Sequence, residues 1–136
     1  MSRVIVNTDG GSRGNPGPGA VGFVVYENDK EIYKKGKCIG HTTNNQAEYM
    51  AVLEALCFLE KDEKDEKEII FRVDSELVVR QLNGEYRVKD RELKSLFLKI
   101  REKIIGSGLN VSFVHVRREQ NKVADSLVNQ ALDNSQ

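Results

Sequence analysis

Four acidic residues stand at places where a folded chain could bring their side chains together. Asp9 ends an apolar segment and is followed by residues 10–19, which contain five glycines and two prolines. Asp74 ends another apolar segment, whereas Glu48 and Asp125 fall near the starts of two predicted helices. Carboxylates held within a few ångströms raise one another's pKa unless a metal ion neutralises them. With oxygen ligands alone, that ion would be Mg²⁺ or Mn²⁺. Two such ions roughly 3.5–4 Å apart can activate a water and stabilise the leaving oxygen in phosphodiester hydrolysis.

Each of the four residues also has an ordinary structural explanation. Asp9 fits a turn residue, and Asp74 beside Ser75 fits a residue that caps a helix. Glu48 and Asp125 fit acidic side chains that are favoured in the first turns of helices. One carboxylate alone therefore predicts no function, and the metal site depends on a fold that brings all four together.

Hydrophobic periodicity and turn residues predict the elements that must do this. The predicted strands are residues 3–9, 20–27, 31–40, 68–74 and 109–116, and the predicted helices are residues 44–60, 75–84, 92–105 and 121–132. The charged segment at residues 61–68 is interpreted as a solvated loop. Strands one to three form an antiparallel meander, and a crossover connection places strand four parallel to strand one. The result is an α/β domain with one mixed sheet, in which Asp9 and Asp74 lie at neighbouring strand ends, where such sheets bind ligands.

Composition limits the other possibilities. A chain of 136 residues, 39% of them apolar, predicts one domain over residues 1–136. Basic and acidic residues number 21 each, so binding to nucleic acid must depend on local patches. The two cysteines and two histidines lack the spacing of a zinc site. No apolar run approaches the ~20 residues of a membrane span, and we expect a cytoplasmic monomer.

Four motifs in order give a resemblance to a known family. They are "TDGGSRGNPGPGA" at 8–20, "TTNNQAEYMAVLEAL" at 42–56, "RVDSELVVRQLNG" at 72–84 and "REQNKVADSLVNQAL" at 118–132. The chain resembles a type 1 ribonuclease H over essentially its whole length. The resemblance implies a five-stranded sheet with strands one, four and five parallel, and hydrolysis of the RNA strand of RNA/DNA hybrids that leaves 3′-hydroxyl and 5′-phosphate ends. It also implies that Asp9, Glu48, Asp74 and Asp125 hold two Mg²⁺ ions, with Mn²⁺ as an alternative.

The same resemblance suggests residues that contact the substrate. Asn15 and Thr43 match a site for a DNA-strand phosphate, and Asn44 and Asn45 match contacts in the minor groove. Arg13 and Ser75 are weaker candidates. Thr43 is also three residues before Gln46, the spacing of a helix capping box, so one hydroxyl has two rival uses.

Two departures from the family pattern stand out. Many members have a basic insertion that grips the hybrid, whereas residues 84–92 here read only "GEYRVKDRE", with Arg87, Lys89 and Arg91 as a reduced substitute. Some members place a histidine in a loop before the fourth acidic residue. His115 instead lies in an apolar run typical of a strand, so Arg118 is the better candidate for a catalytic role there.

Two alternative functions stay open. One is a nucleic-acid-binding module that keeps the fold without catalysis, although intact carboxylates near phosphates count against it. The other is a different nuclease of the same superfamily, such as a junction resolvase or an integrase core. Double-stranded RNA also stays open as a further substrate.

Overall fold

The computed structural model describes residues 2–60 and 67–135, which form five strands and four α-helices around one sheet. The strands are β1 (Ser2–Ser12), β2 (Gly17–Glu27), β3 (Lys30–Thr42), β4 (Lys67–Val73) and β5 (Asn110–His115). The helices are α1 (Asn44–Leu59), α2 (Glu76–Leu82), α3 (Arg91–Ser107) and α4 (Lys122–Asn134), with a short 3-10 helix at Arg118–Gln120. Every predicted strand and helix is present. Of the predicted loop at 61–68, residues 61–66 lie outside the described residues, and residues 67 and 68 open β4.

The strand order is β3-β2-β1-β4-β5. β2 pairs antiparallel with β1 and β3, whereas β4 pairs parallel with β1 and β5. The last parallel pair between β1 and β4 is Thr8 with Val73, so Asp9 and Asp74 follow directly on neighbouring strands. The mixed topology and this shared edge confirm the sequence-based prediction.

The glycine-rich segment after Asp9 is not the loop implied by predicted strands that end at residue 9 and begin again at residue 20. β1 continues to Ser12 and β2 already begins at Gly17, with Gly10 paired to Val21 and Gly11 paired to Ala20. The turn itself therefore covers only residues 13–16. Strand propensity is low for glycine, but pairing across a sheet overrides it when tertiary packing needs a residue without a side chain.

Helices cover the two faces of the sheet unequally. On one face α1, α2 and α3 pack over the main core, which includes Phe23, Tyr49, Leu56 and Phe71 among its fully buried side chains. On the other face α4 packs over β1, β2 and β3, where Val128 and Leu132 contact Ala20. Within the described ranges, no helix is long and apolar enough to span a membrane.

Candidate active site

Three carboxylates from three different elements meet at the edge of the sheet. Asp9 lies in β1, Asp74 directly follows β4, and Glu48 projects from α1. One oxygen from each lies within 4.8 Å of the other two. Asp9 and Glu48 are buried and Asp74 is half-buried. Of the four carboxylates that the sequence predicted to converge, the structure brings these three together as mutually close ligands.

Most of the ordinary explanations for these carboxylates do not fit the structure. Asp9 lies inside a strand, not in a turn, since β1 continues past it to Ser12. The cap of α2 is Ser75, whose Oγ accepts a hydrogen bond from the Val78 N–H at 3.3 Å, so Asp74 is not used as the cap. Glu48 lies beyond the first turn of α1 and is only 7% exposed.

Gly10 sets the position of Glu48. A Cβ atom at Gly10 would lie 2.2 Å from the Ala47 carbonyl oxygen and 2.6 Å from the Glu48 nitrogen. Only glycine permits α1 to approach β1 so closely. The Gly10 N–H also donates to Glu48 Oε1 at 2.8 Å, which fixes the carboxylate beside Asp9.

A second close approach brings the fourth carboxylate to the site. Gly22 pairs with Asp9 across β1 and β2, and a Cβ atom there would lie 2.6 Å from the Ala124 carbonyl oxygen. The start of α4 therefore rests on β2 directly beside Asp9. Asp125, the next residue, lies in the first turn of α4, where the helix dipole also favours an acidic side chain. Asp125 is not one of the three mutually close ligands, but its charge helps to raise the pKa of Asp9.

The clustering strongly perturbs two of the carboxyl groups. Burial, followed by the charges of Asp74 and Asp125, raises the pKa of Asp9 to about 8. Burial, followed by the charges of Asp9 and Asp74, raises the pKa of Glu48 well above its usual range. Such groups favour a proton or a bound cation, because either relieves the repulsion.

The donor set fits a hard divalent cation. All three mutually close ligands are carboxylate oxygens, which Mg²⁺ and Mn²⁺ prefer over the nitrogen and sulfur ligands typical of zinc. Partial burial limits competition from water, and the raised pKa values reflect the negative charge that a cation would neutralise. Asp9 lies among the other carboxylates, since its side chain is close to Glu48 and Asp74 and feels the charge of Asp125.

The candidate substrate residues at the start of α1 form one hydrogen-bonded surface with the turn after β1. Asn44 donates its backbone N–H to Asn15 Oδ1 at 3.0 Å, and Asn44 Oδ1 accepts from the Ser12 N–H at 2.9 Å. The Thr43 hydroxyl accepts from the Gln46 N–H at 3.2 Å, and the Gln46 side chain accepts from the Thr43 N–H. The capping box predicted for Thr43 is thus confirmed, and Asn45 lies exposed in the same first turn.

Two candidate arginines lie at the surface. Arg13 Nη2 forms an ion pair with Asp133 Oδ1 in α4 at 2.6 Å, which ties the turn after β1 to the last helix. Arg118 is exposed and begins the 3-10 helix before α4. His115 ends β5, as its apolar setting predicted, although its side chain is exposed.

The short connection between α2 and α3 is also as the sequence suggested. Residues 83–90 join the two helices, and Arg87, Lys89 and Arg91 are exposed there. Tyr86 lies under the Arg80 guanidinium, whose carbon is 5.4 Å from the ring centroid. A small basic surface is therefore present without an inserted element.

Comparisons with known proteins agree with this geometry. A sequence family described as reverse transcriptase-like matches residues 7–131. LC11-RNase H1, isolated from compost by a metagenomic approach, is 43% identical and superposes with a TM-score of 0.94 over 99% of both chains. That protein has also been solved in complex with an RNA/DNA hybrid.

Two curated relatives extend the comparison. Ribonuclease HI of Halobacterium salinarum is 42% identical over 98% of this chain, and the bifunctional protein Rv2228c of Mycobacterium tuberculosis is 35% identical over 96% of it. The chain spans 66% of the halobacterial protein and 36% of the mycobacterial one. With the sheet topology and the carboxylate cluster, these matches show that the chain belongs to the type 1 ribonuclease H family.

Proposed function

We propose that this chain is an endonuclease that hydrolyses the RNA strand of RNA/DNA hybrids with two divalent metal ions. Cleavage leaves 3′-hydroxyl and 5′-phosphate ends, and residues 1–136 act as the catalytic domain. The observation that carries the proposal is the convergence of Asp9, Glu48 and Asp74 within 4.8 Å. It is supported by the 43% identity to a protein solved with such a hybrid.

Four carboxylates would hold the ions in this proposal. Asp9, Glu48 and Asp74 would be the mutually close ligands, and Asp125 would add a further carboxylate beside Asp9. When bound, two divalent ions supply an activated water and stabilise the leaving oxygen of the scissile phosphodiester. The protein's own contribution is to hold the four carboxylates at one edge before substrate arrives, through the close packing at Gly10 and Gly22.

Residues around the turn after β1 and the start of α1 hold the hybrid. Asn15 and Thr43 contact a phosphate of the DNA strand. The Thr43 hydroxyl accepts a hydrogen bond in its helix cap, so it is its hydrogen that donates to the phosphate. Asn44 and Asn45 lie against the minor groove, where 2′-hydroxyls distinguish RNA from DNA. Because Asn44 Oδ1 already accepts from Ser12, its NH₂ group is the part available to donate to the substrate. Arg13, Ser75 and Arg118 are further candidates around this surface.

The first prediction concerns substrate choice. Purified protein is incubated with labelled RNA/DNA hybrid, duplex DNA, duplex RNA and each single strand, with Mg²⁺, with Mn²⁺ or with chelator. We expect endonucleolytic cuts with little sequence preference in the RNA strand of the hybrid, and no cleavage in chelator. Cleavage of duplex DNA at a comparable rate would overturn the proposal. Tight hybrid binding without any cleavage would favour a binding module instead.

The second prediction concerns salt. The chain has no net charge, and only Arg87, Lys89 and Arg91 replace the larger basic insertion of other members. Each cation–phosphate contact steepens the fall of affinity with salt, so three contacts give a modest affinity that still decreases on the order of tenfold between about 50 mM and 200 mM salt. We therefore expect the KM for hybrid to rise steeply between low and physiological salt, whereas kcat changes little. A KM that does not change with salt over this range would show that hybrid binding is not mainly electrostatic.

A further inference from the structure

Asn121, which the sequence analysis did not single out, makes hydrogen bonds to the segments that carry three of the four carboxylates. It is fully buried, with an exposed fraction of 0%, and directly precedes α4. Asparagine at this position is a favoured helix cap, but the Asn121 side chain makes no capping hydrogen bond. Its side-chain amide forms hydrogen bonds elsewhere instead.

The side-chain NH₂ group of Asn121 joins two strands at the point where their pairing ends. Nδ2 donates to the Thr8 carbonyl at 2.8 Å and to Asp74 Oδ2 at 3.2 Å. Thr8 immediately precedes Asp9, and the Thr8–Val73 pair is the last one between β1 and β4. The amide therefore joins β1 and β4 by side-chain hydrogen bonds just beyond the last backbone pair between them.

The backbone of Asn121 also contacts the backbone of Asp125, which carries another of the carboxylates. Its carbonyl accepts a hydrogen bond from the Asp125 N–H at 3.1 Å, the contact that begins α4 at this residue. One buried residue thus touches the segments that contain Asp9 and Asp125, and binds the Asp74 carboxylate directly. Within the described part of the chain, this set of contacts links β1, β4 and α4.

The chemistry at this position requires an amide. Both acceptors face the same nitrogen, and a carboxylate in its place would present oxygen to a carbonyl and to another carboxylate. The hydrogen bond to Asp74 Oδ2 also restricts the rotation of that carboxylate. Groups that hydrogen-bond to metal ligands in this way commonly alter metal affinity or activity about 10–100-fold when they are removed.

We propose that Asn121 is a positioning residue that sets the Asp74 carboxylate and the spacing of β1 and β4 for divalent-ion binding. This inference rests on the proposed function, because it concerns the same carboxylate site. Asn121 contacts neither substrate nor reacting atoms in this role, so its effect is on metal binding and turnover, with little effect on hybrid binding.

The test is Asn121→Ala, compared with Asn83→Ala as a matched control. Asn83 Nδ2 also donates to a strand carbonyl, that of Phe113 at 3.2 Å, but on β5 and away from the carboxylates. For Asn121→Ala we expect about a tenfold increase in the Mg²⁺ concentration that gives half-maximal thermal stabilisation. We also expect kcat to fall about 10–100-fold, with KM for hybrid within about threefold of wild type. Asn83→Ala should lower the unfolding temperature while leaving the Mg²⁺ midpoint and kcat unchanged.

The outcomes separate this inference from the proposed function. If the wild type cleaves hybrid and Asn121→Ala shows the wild-type Mg²⁺ midpoint and kcat, the positioning role is wrong although the function stands. If the wild type does not cleave the hybrid, it is the proposed function that is wrong.

Should Asn121→Ala not fold, the side-chain amide resonances of Asn121 are followed in the wild type by NMR. We expect them to shift during Mg²⁺ titration with the midpoint seen in thermal unfolding, and resonances that do not move would overturn the inference.

Discussion

Replacing Asp9 by asparagine is expected to abolish hydrolysis of the hybrid and, at the same time, to make the metal-free protein more stable. The variant keeps the shape of the side chain and removes one charge. A neutral amide is a poorer ligand than a carboxylate for a hard divalent cation, so turnover is lost. Stability rises because the neutral amide avoids the cost of burying a charge and the repulsion from Asp74 and Asp125.

The expected gain in the free energy of unfolding in chelator is about 1 kcal/mol or more, because a pKa perturbation of one unit corresponds to about 1.4 kcal/mol.

The pH dependence of the free energy of unfolding has a definite sign. The pKa of Asp9 is about 8 in the folded protein, whereas an aspartate in the unfolded chain has a pKa of about 4. The folded state therefore binds more protons over this range, and the free energy of unfolding of the wild type falls as pH rises from about 4 to about 8. Asp9→Asn should show a flatter profile in chelator.

Thermal unfolding of both proteins, in chelator and across a Mg²⁺ series, measures these effects together. The wild type should regain stability as Mg²⁺ is added, because the ion binds only the folded arrangement, and the variant should respond less. Asp29→Asn is the matched control, since it removes an exposed charge in the turn between β2 and β3. A variant at Asp9 that is less stable than wild type in chelator, or that still cleaves at a similar rate, would show that the carboxylates do not share a site.

Gly10→Ala is expected to damage both stability and activity. The new Cβ atom would lie 2.2 Å from the Ala47 carbonyl oxygen, which is backbone and cannot rotate away. α1 must then move off β1, with a stability loss of about 1–3 kcal/mol, the usual range for overpacking. Glu48 moves with the helix, and a displacement of about 1 Å at a catalytic site can reduce the rate about 100-fold.

Gly11→Ala is the control for this prediction. The nearest atoms to a Cβ atom at Gly11 lie 3.8 Å and 4.0 Å away, which are ordinary contacts. Its unfolding temperature and its stabilisation by Mg²⁺ should therefore match the wild type. Equal unfolding temperatures for Gly10→Ala and the wild type would mean that α1 is not held against β1 as the structure describes.

Much of the fold could be predicted from the sequence because local patterns and topology rules agree. Apolar segments ending in Asp9 and Asp74 predicted parallel neighbours, and the observed pairing of Thr8 with Val73 confirms this. The glycine-rich segment was mispredicted as a loop because its local propensity favours a turn. Its extension as paired strand depends on the approach of α1 to Gly10, which is a tertiary contact.

Only part of the candidate site could be predicted from the sequence. Carboxylates at strand ends follow from topology, whereas the contribution of Asn121 depends on a hydrogen bond to Thr8 over 113 residues of sequence. An asparagine before a helix is a favoured cap in any sequence, so its residue type alone does not indicate this other role. The ion pair of Arg13 with Asp133 is likewise a contact between distant segments that no local pattern indicates.

The central claim is that Asp9, Glu48 and Asp74 bind a divalent cation together, and the most direct test is to locate the ion. Crystals of the wild type and of Asp9→Asn would be soaked in Mn²⁺ and measured at a wavelength where manganese scatters anomalously. We predict anomalous density among the three carboxylates in the wild type, and its loss or marked reduction in Asp9→Asn. Manganese bound only elsewhere, or equal density in both proteins, would contradict the account.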